Sequence, residues 1–257
     1  MSDEALTSAL RALAQHQETS VLLQRYALLG DERVLRLMHL GEEIALHIPN
    51  ADRDLVQGKI LSTGSFYERP LLDRIRQDFA VPDGKIIVDA GANIGNHCVY
   101  FSKFLKPSKV FAFEPQPHVF DVLERNLELN GLSNLVTSRK LALGAEAGKA
   151  SMSRSRPDNL GMASFAEDGE GGFPLSRLDD EIAKADHRKV GFIKVDVEGN
   201  EGPLLAGATG ILSKSRPMLW VEVLPRNKEA IDAQLAEFGY VSQSLNRANH
   251  IYLPQAH

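Results

Sequence analysis

Apolar and polar positions follow different periods in different parts of the chain. Over roughly the first 30 residues, leucines such as Leu6 and Leu10 recur at helical spacing, which predicts a helix. Between positions 34 and 48, apolar residues alternate around Gly41, which predicts a short hairpin. We therefore expect residues 1–63 to form a helical and hairpin extension. Its helix either covers the core or forms the contact of a homo-oligomer.

From Lys85 onwards, short apolar runs alternate with amphipathic segments of helical period. The runs predict strands, and several of the segments between them predict helices. The predicted strands are 86–88, 110–113, 135–141, 192–195, 219–223, 241–244 and 250–253, and the predicted helices are 68–79, 99–105, 119–129 and 228–238. This alternation is typical of βαβ units. We therefore expect an α/β protein with a mostly parallel sheet and helices on both faces.

The segment 151–173 shows neither pattern. It contains Pro157, Gly161 and Gly169, and few apolar residues at regular spacing. A long irregular loop inside a compact domain is commonly functional or disordered. Because this segment lies between two strands that should end at a ligand crevice, we expect it to form a lid over the substrate.

Composition and charge exclude several classes of protein. Of the 257 residues, 43% are hydrophobic and 25% are charged, which is the ordinary globular mixture. The net charge of -5 disfavours binding to the phosphates of nucleic acids. Cys98 is the only cysteine, which excludes an internal disulfide and favours a reducing compartment. There is no apolar run of the ~20 residues that span a bilayer, and no signal peptide is visible. We expect a cytoplasmic protein without a membrane partner.

Acidic residues follow several of the predicted strands. In an open parallel sheet, a ligand binds beyond the carboxyl ends of the strands. A core strand gains no stability from ending in an acid, so we interpret these residues as functional. The residues at the strand ends are Asp89, Glu114, Ala142, Asp196 and Glu222.

The loop 89–95 joins a predicted strand to a predicted helix. Its glycines allow a sharp turn and a close approach of the backbone to a ligand. Glu114 ends the next strand, where a carboxylate can accept both hydroxyl protons of a ribose. Asn93 stands where the dinucleotide motif G-x-G-x-x-G requires glycine, and Asp89 suits a positively charged ligand. We therefore predict a nucleoside-binding crevice.

Seven motifs, in order, resemble the FkbM family of S-adenosylmethionine-dependent methyltransferases. The resemblance covers roughly residues 64–223, and each motif alone is weak. The first ~60 residues and the tail after Val223 lie outside the resemblance. The motifs are 64–68, 89–97, 113–115, 126–131, 142–144, 178–180 and 193–201.

The resemblance implies a class I methyltransferase (Rossmann-like) fold, with a seven-stranded sheet whose last strand is antiparallel, in a domain spanning 64–257. It also implies an O-methyltransferase that transfers a methyl group from S-adenosyl-L-methionine to a hydroxyl of a small molecule or glycan. The implied cofactor-binding residues are Asp89, Gly91, Asn93 and Gly95 for the methionine part, Glu114 for the ribose hydroxyls, Ala142 and Leu143 beside the adenine, and Asp196 near the methyl donor. Pro115, next to Glu114, is a further implied cofactor-binding residue.

A hydroxyl acceptor must lose its proton, which requires a base or a metal. His97 is the first candidate for the base, because it lies in the first turn of a helix, where the helix dipole favours a neutral imidazole. The alternative is that His97 caps the helix or packs against the cofactor. Asp196 and Glu68 are the further catalytic candidates. Glu68 either closes over the methyl site or only stabilises the start of a helix.

The acids near the fourth strand end could also bind a divalent metal. Asp196 and Glu198 are spaced by two, so they point the same way along an extended chain, and Glu222 could be a third ligand. Alternatively, Glu198 caps the helix that begins near Gly199. We favour a site without metal, because the sequence shows no denser cluster of acids.

Two other functions use the same type of sheet. A nicotinamide-dependent oxidoreductase is disfavoured, because both G-x-G-x-x-G and a Tyr-x-x-x-Lys pair are missing. A catalytically silent partner subunit is disfavoured because the acids of the motifs are intact.

Overall fold

The computed structural model describes residues 3–79, 81–156, 159–166 and 172–255. The chain divides into two compact units, Met1–Tyr67 and Glu68–His257. The helices are α1 (Asp3–Leu28), α2 (Leu55–Thr63), α3 (Arg69–Asp78), α4 (Asn96–Phe104), α5 (Pro117–Leu129), α6 (Leu178–Glu181), α7 (Glu201–Ala206), α8 (Thr209–Ser215) and α9 (Lys228–Ala236). The strands are β1 (Val34–His39), β2 (Glu42–His47), β3 (Ile86–Ala90), β4 (Lys109–Phe113), β5 (Val136–Arg139), β6 (Ala142–Leu143), β7 (Gly148–Arg156), β8 (Asn159–Ala166), β9 (Phe173–Ser176), β10 (Val190–Val195), β11 (Met218–Glu222), β12 (Tyr240–Ser244) and β13 (Asn249–Pro254).

The first unit contains the predicted hairpin. Strands β1 and β2 pair antiparallel, and the two residues between them, Leu40 and Gly41, both have positive φ. This conformation at both central residues is typical of the type I′ turn, whose twist matches that of the strands. Helix α1 extends over most of the first 28 residues, in agreement with the predicted helix. Its role in a homo-oligomer stays a prediction.

Helix α2 was not predicted from the sequence, although its end signals are clear. Asp54 caps its first turn by accepting a hydrogen bond from the Gln57 N–H at 2.9 Å. Gly64 ends it in the left-handed conformation. Phe66 lies beyond this end, is buried, and meets the ring of His39 edge-on at 5.6 Å. Phe66 therefore packs within the first unit, although the expected domain began at 64.

The second unit is built on a seven-stranded sheet in the order β12-β13-β11-β10-β3-β4-β5. Strands β11, β10, β3, β4 and β5 are parallel, and β13 runs antiparallel between β11 and β12. Every residue of β3 and of β10 is buried, as expected for central strands of a parallel sheet covered on both faces. The structure thus confirms the predicted sheet and its antiparallel last strand.

The first turn of helix α8 is capped by a carboxylate that is distant in sequence. Its N-cap residue is Ala208, which has no side chain to cap the helix. Instead, the carboxylate of Asp179 accepts hydrogen bonds from the N–H groups of Gly210 at 2.7 Å and Ile211 at 2.9 Å. These are N–H groups of the first turn that lack partners within the helix. The motif 178–180 therefore has a structural role.

The structure contradicts one prediction for the segment 151–173. The predicted irregular loop is wrong, because β7 and β8 pair antiparallel within a four-stranded sheet of order β6-β9-β7-β8. Register shifts interrupt this pair, which removes the simple alternation that predicts a strand. The predicted strand 135–141 is too long, since β5 covers only Val136–Arg139, and the next strand, β6, belongs to the smaller sheet. The predicted lid includes 157–158 and 167–171, which lie outside the described residues.

None of the helices among the described residues combines the length and the apolar character that a membrane crossing requires.

Candidate active site

A cleft opens at the carboxyl ends of the central parallel strands. The register places Ala90 beside both Phe113 and Val195, so β3, β4 and β10 end side by side. The cleft is lined by Gly91, Phe113, Glu114, Pro115, Gln116, Leu141, Ala142, Leu143, Asp196, Val197, Glu198 and Asn200.

The glycines of the loop after β3 are required by packing. Gly91 has φ +79°, and a Cβ atom at this position would lie 1.7 Å from the carbonyl oxygen of Asp196. Gly95 has φ +82°, and its Cβ would lie 2.5 Å from Cδ1 of Leu123. Both residues adopt the left-handed conformation that glycine tolerates best. The loop is thereby held close to the end of β10 and to α5.

Asn93 and Glu114 connect this loop to the end of β4. Asn93 has φ +49°, which is uncommon for a residue with a side chain, and its Oδ1 accepts from the Ile94 N–H at 2.7 Å. The Asn93 N–H donates to Oε2 of Glu114 at 3.1 Å, and the Gln116 N–H donates to Oε1 at 2.9 Å. The two bonds fix the orientation of the Glu114 carboxylate at the wall of the cleft.

The environment of Glu114 changes its acidity. The side chain is 3% exposed, and burial raises its pKa to about 7, although the two backbone hydrogen bonds lower it. The nearby carboxylates of Asp196 and Asp89 add to the increase. A buried carboxylate with this pKa, which already accepts two N–H groups, retains lone pairs for further donors in the cleft.

Lys194 is a charged residue of the site that the sequence analysis missed. It is 2% exposed, and its Nζ donates to Oδ2 of Asp196 at 3.0 Å and lies 3.7 Å from Oδ1 of Asp89. Burial lowers the pKa of Lys194, but Asp196 and Asp89 outweigh this effect and hold the pKa above its ordinary value. Lys194 is therefore the cation that faces Asp89. A lysine within an otherwise apolar strand was the signal, because buried charges require partners.

His97 and Glu68 form a second pair. Nε2 of His97 lies 3.5 Å from Oε2 of Glu68, and the side chains are 8% and 17% exposed. The imidazole stacks on Phe101, with the ring centres 6.0 Å apart, and meets Trp220 edge-on at 5.2 Å. His97 thus packs among aromatic rings and faces one carboxylate.

Two further acids are Glu222, at the end of β11, and Glu201, at the start of α7. Burial raises the pKa of Glu222 to about 8, with further contributions from Asp196 and Glu68. Glu201, at the start of α7, accepts from the Gly199 N–H at 2.7 Å. Throughout the described ranges, no three His, Cys, Asp or Glu side chains are arranged to hold a metal ion.

The predicted site residues therefore fall into three groups. Six of them line the cleft: Gly91, Glu114, Pro115, Ala142, Leu143 and Asp196. Asn93 and Gly95 shape the loop, and Asp89 is buried behind it against Lys194 and Cys98, whose Sγ donates to Oδ2 of Asp89 at 3.0 Å. His97 and Glu68 are paired with each other and are not among the residues that line the cleft.

The model of the methyltransferase FkbM domain matches residues 89–251. The match covers the glycine loop, the cleft and the strands as far as β13. The chain belongs to the FkbM methyltransferase family.

Relatives in the family are similar over part of their length. The chain is 34% identical to methyltransferase sdnD of Sordaria araneosa over 124 residues, 46% of each protein. It is 30% identical to the hexuronic acid methyltransferase AglP of Haloferax volcanii over 145 residues, 56% of each. It is also 30% identical to methyltransferase 1 of Beauveria bassiana over 148 residues, 49% of this chain and 59% of the relative. The chain thus matches about half the length of these relatives.

A solved structure supports the FkbM fold. The methyltransferase FkbM of Methylobacillus flagellatus aligns with a TM-score of 0.51 and 21% identity, over 79% of this chain and 56% of the other. This similarity agrees with the mostly parallel seven-stranded sheet and with the class I methyltransferase fold.

Proposed function

We propose that this chain transfers a methyl group from S-adenosylmethionine to a hydroxyl oxygen of a small molecule or glycan. The observation that carries the proposal is the carboxylate of Glu114, oriented by two backbone N–H groups at the wall of the cleft. A carboxylate at this strand end is suited to the two hydroxyl groups of a ribose. Membership of the FkbM family supports the same chemistry.

The residues of the cleft fit the proposed cofactor. Glu114 offers acceptor oxygens for the ribose, and the buried apolar residues Ala142 and Leu143 offer a wall for the adenine. Asp196 provides a carboxylate for a cationic group. The loop around Gly91 brings backbone close to the cleft without a side chain in the way. When bound, the cofactor supplies an electrophilic methyl group on a sulfonium.

The chain itself must position the acceptor and take up its proton. Positioning supplies much of the rate enhancement in such a displacement. His97 and Glu68 provide an imidazole and a carboxylate at 3.5 Å, a pair in which one group can receive the proton and the other can stabilise the product charge. Asp196 is the carboxylate at the cleft itself, and it is the alternative base.

The class of acceptor is supported by one relative. AglP, which matches over 145 residues, is a hexuronic acid methyltransferase by name. A hexuronic acid or a related sugar is therefore the first acceptor to test, and a small-molecule alcohol is the second. We propose that the reaction needs no metal, so turnover should survive prolonged treatment with a chelator. Loss of turnover that magnesium restores would contradict this part of the proposal.

Titration calorimetry with S-adenosylmethionine, S-adenosylhomocysteine and NAD tests the cofactor. We expect binding of the first two and none of NAD. Binding of NAD alone would favour the nicotinamide-dependent oxidoreductase instead. Incubation with methyl-labelled S-adenosylmethionine and a cell extract, followed by mass spectrometry, then identifies the acceptor. A protein that binds the cofactor but labels no acceptor would agree with the catalytically silent subunit.

A further inference from the structure

Three charged side chains beside the cleft form what we name the lysine network: Asp89, Lys194 and Asp196. Asp89 and Lys194 are buried, whereas the side chain of Asp196 is 25% exposed and lines the cleft. The ammonium of Lys194 lies 3.0 Å from Asp196 and 3.7 Å from Asp89. One ammonium and two carboxylates give the network one net negative charge.

The sheet fixes the position of the ammonium. Lys194 pairs with Asp89 across β10 and β3, and with Trp220 across β10 and β11. Its Nζ lies 5.7 Å from the centre of the Trp220 ring. Asp196 lies two residues further along the chain, and its N–H donates to the carbonyl of Ala90 at 3.0 Å. The geometry therefore places Lys194 between a carboxylate with no access to solvent and one at the cleft.

We propose that Lys194 is a specificity-determining residue: it offsets one of the two carboxylate charges and leaves the lysine network with a single net negative charge beside the cleft. This inference rests on the proposed function. The methyl donor carries a sulfonium cation, whereas the sulfur of the product S-adenosylhomocysteine is neutral. A net negative charge attracts the donor more strongly than the product, so the lysine network favours exchange of product for donor.

The test is the ratio of the dissociation constants of S-adenosylhomocysteine and S-adenosylmethionine, both measured by titration calorimetry. Asp89→Asn makes the network neutral, so the preference for the donor should fall on the order of tenfold. Adding Lys194→Met to Asp89→Asn removes the unbalanced ammonium, restores the net negative charge and should recover most of the preference. Lost packing cannot produce such a recovery, because the second substitution removes further contacts.

Matched variants and a folding measurement complete the experiment. Asp186→Asn removes a carboxylate that pairs with Lys189 at 2.7 Å on the surface, and it should leave the ratio unchanged. Emission from Trp220, the sole tryptophan, reports whether the surroundings of Lys194 are intact. If Asp89→Asn does not fold, Asp196→Asn removes the same charge at a partly exposed position and should lower the ratio similarly.

The outcomes separate this inference from the proposed function. An unchanged ratio in the folded single variant, or no recovery in the double variant, overturns the role of Lys194. An equal loss of affinity for both ligands also overturns it, because that result is expected of a purely structural residue. A wild-type protein that binds neither ligand contradicts the proposed function itself.

Discussion

Nε2 of His97 and Oε2 of Glu68 approach to 3.5 Å where the starts of two helices meet. His97 lies in the first turn of α4, and Glu68 directly precedes α3 in the left-handed conformation, with φ +55°. This conformation is uncommon for a residue other than glycine, and strained residues concentrate at functional sites. The pair brings an imidazole and a carboxylate together at the starts of two helices.

His97→Gln should lower turnover about 10²- to 10⁴-fold, because glutamine cannot accept the acceptor proton. The affinity for S-adenosylmethionine should change little, since His97 is not among the residues that line the cleft. Single-turnover kinetics and calorimetry on the same variant measure the two effects. Glu68→Gln should also lower turnover, but by a smaller factor than His97→Gln. If His97→Gln keeps full turnover, the base lies elsewhere, with Asp196 and Glu68 as the next candidates.

Glu114→Ala should weaken binding of S-adenosylmethionine by one to two orders of magnitude. Two charge-assisted hydrogen bonds of roughly 1.5–3 kcal/mol each are lost, and water replaces them in part. Glu146→Ala, at an exposed position outside the cleft, is the matched control and should bind normally. Unchanged affinity in folded Glu114→Ala protein would remove the ribose assignment.

Glu222→Gln should stabilise the protein in alkaline solution. The pKa of Glu222 is about 8 in the folded protein against an ordinary value of 4.5, so the folded state binds the proton more tightly than the unfolded state. Stability is therefore lost as the pH rises from 4.5 to about 8. Glutamine resembles the protonated acid and avoids this loss. Urea unfolding at pH 9 should show a gain of about 1–3 kcal/mol, and the two proteins should be alike near pH 4.5. An equal difference in stability at both pH values would show that ionisation of Glu222 is not the cause.

Gly91→Ala should destabilise the protein by about 3 kcal/mol or more, because the new Cβ would meet the Asp196 carbonyl and the backbone would be strained. Gly148→Ala is the control. Nothing lies within 4 Å of a Cβ at this position, and its backbone has no positive φ. Chemical unfolding of both variants measures the difference. A folded, fully stable Gly91→Ala protein would show that β3 and β10 can separate at the cleft.

The sequence predicts the central sheet well because its strands are continuous apolar runs. Strands β3, β4, β10 and β11 each coincide with such a run, and all their residues except Lys109 and Glu222 are buried. Helices α2 and α8 were missed for a different reason. They are short, and the start of α8 depends on Asp179, which lies 31 residues before Gly210 and which no local pattern reveals.

Part of the candidate site could also be predicted. A carboxylate at the end of β4 is visible in the sequence, and the structure places Glu114 at the cleft. The partner of Asp89 could not be derived from the loop alone, because Lys194 meets it only through the pairing of β3 with β10. The contact of His97 with Glu68 likewise depends on how two helices are arranged.

The pairing of β3 with β10 has a consequence for how the domain is assembled. The two strands are neighbours at the middle of the sheet, yet β10 follows β3 about 100 residues later along the chain. Contacts of such long sequence separation slow folding, because a large loop must close before they form. During synthesis, β3, β4 and β5 emerge first and expose the edge that β10 will cover. We therefore expect the growing chain to need protection from aggregation until β10 and β11 leave the ribosome.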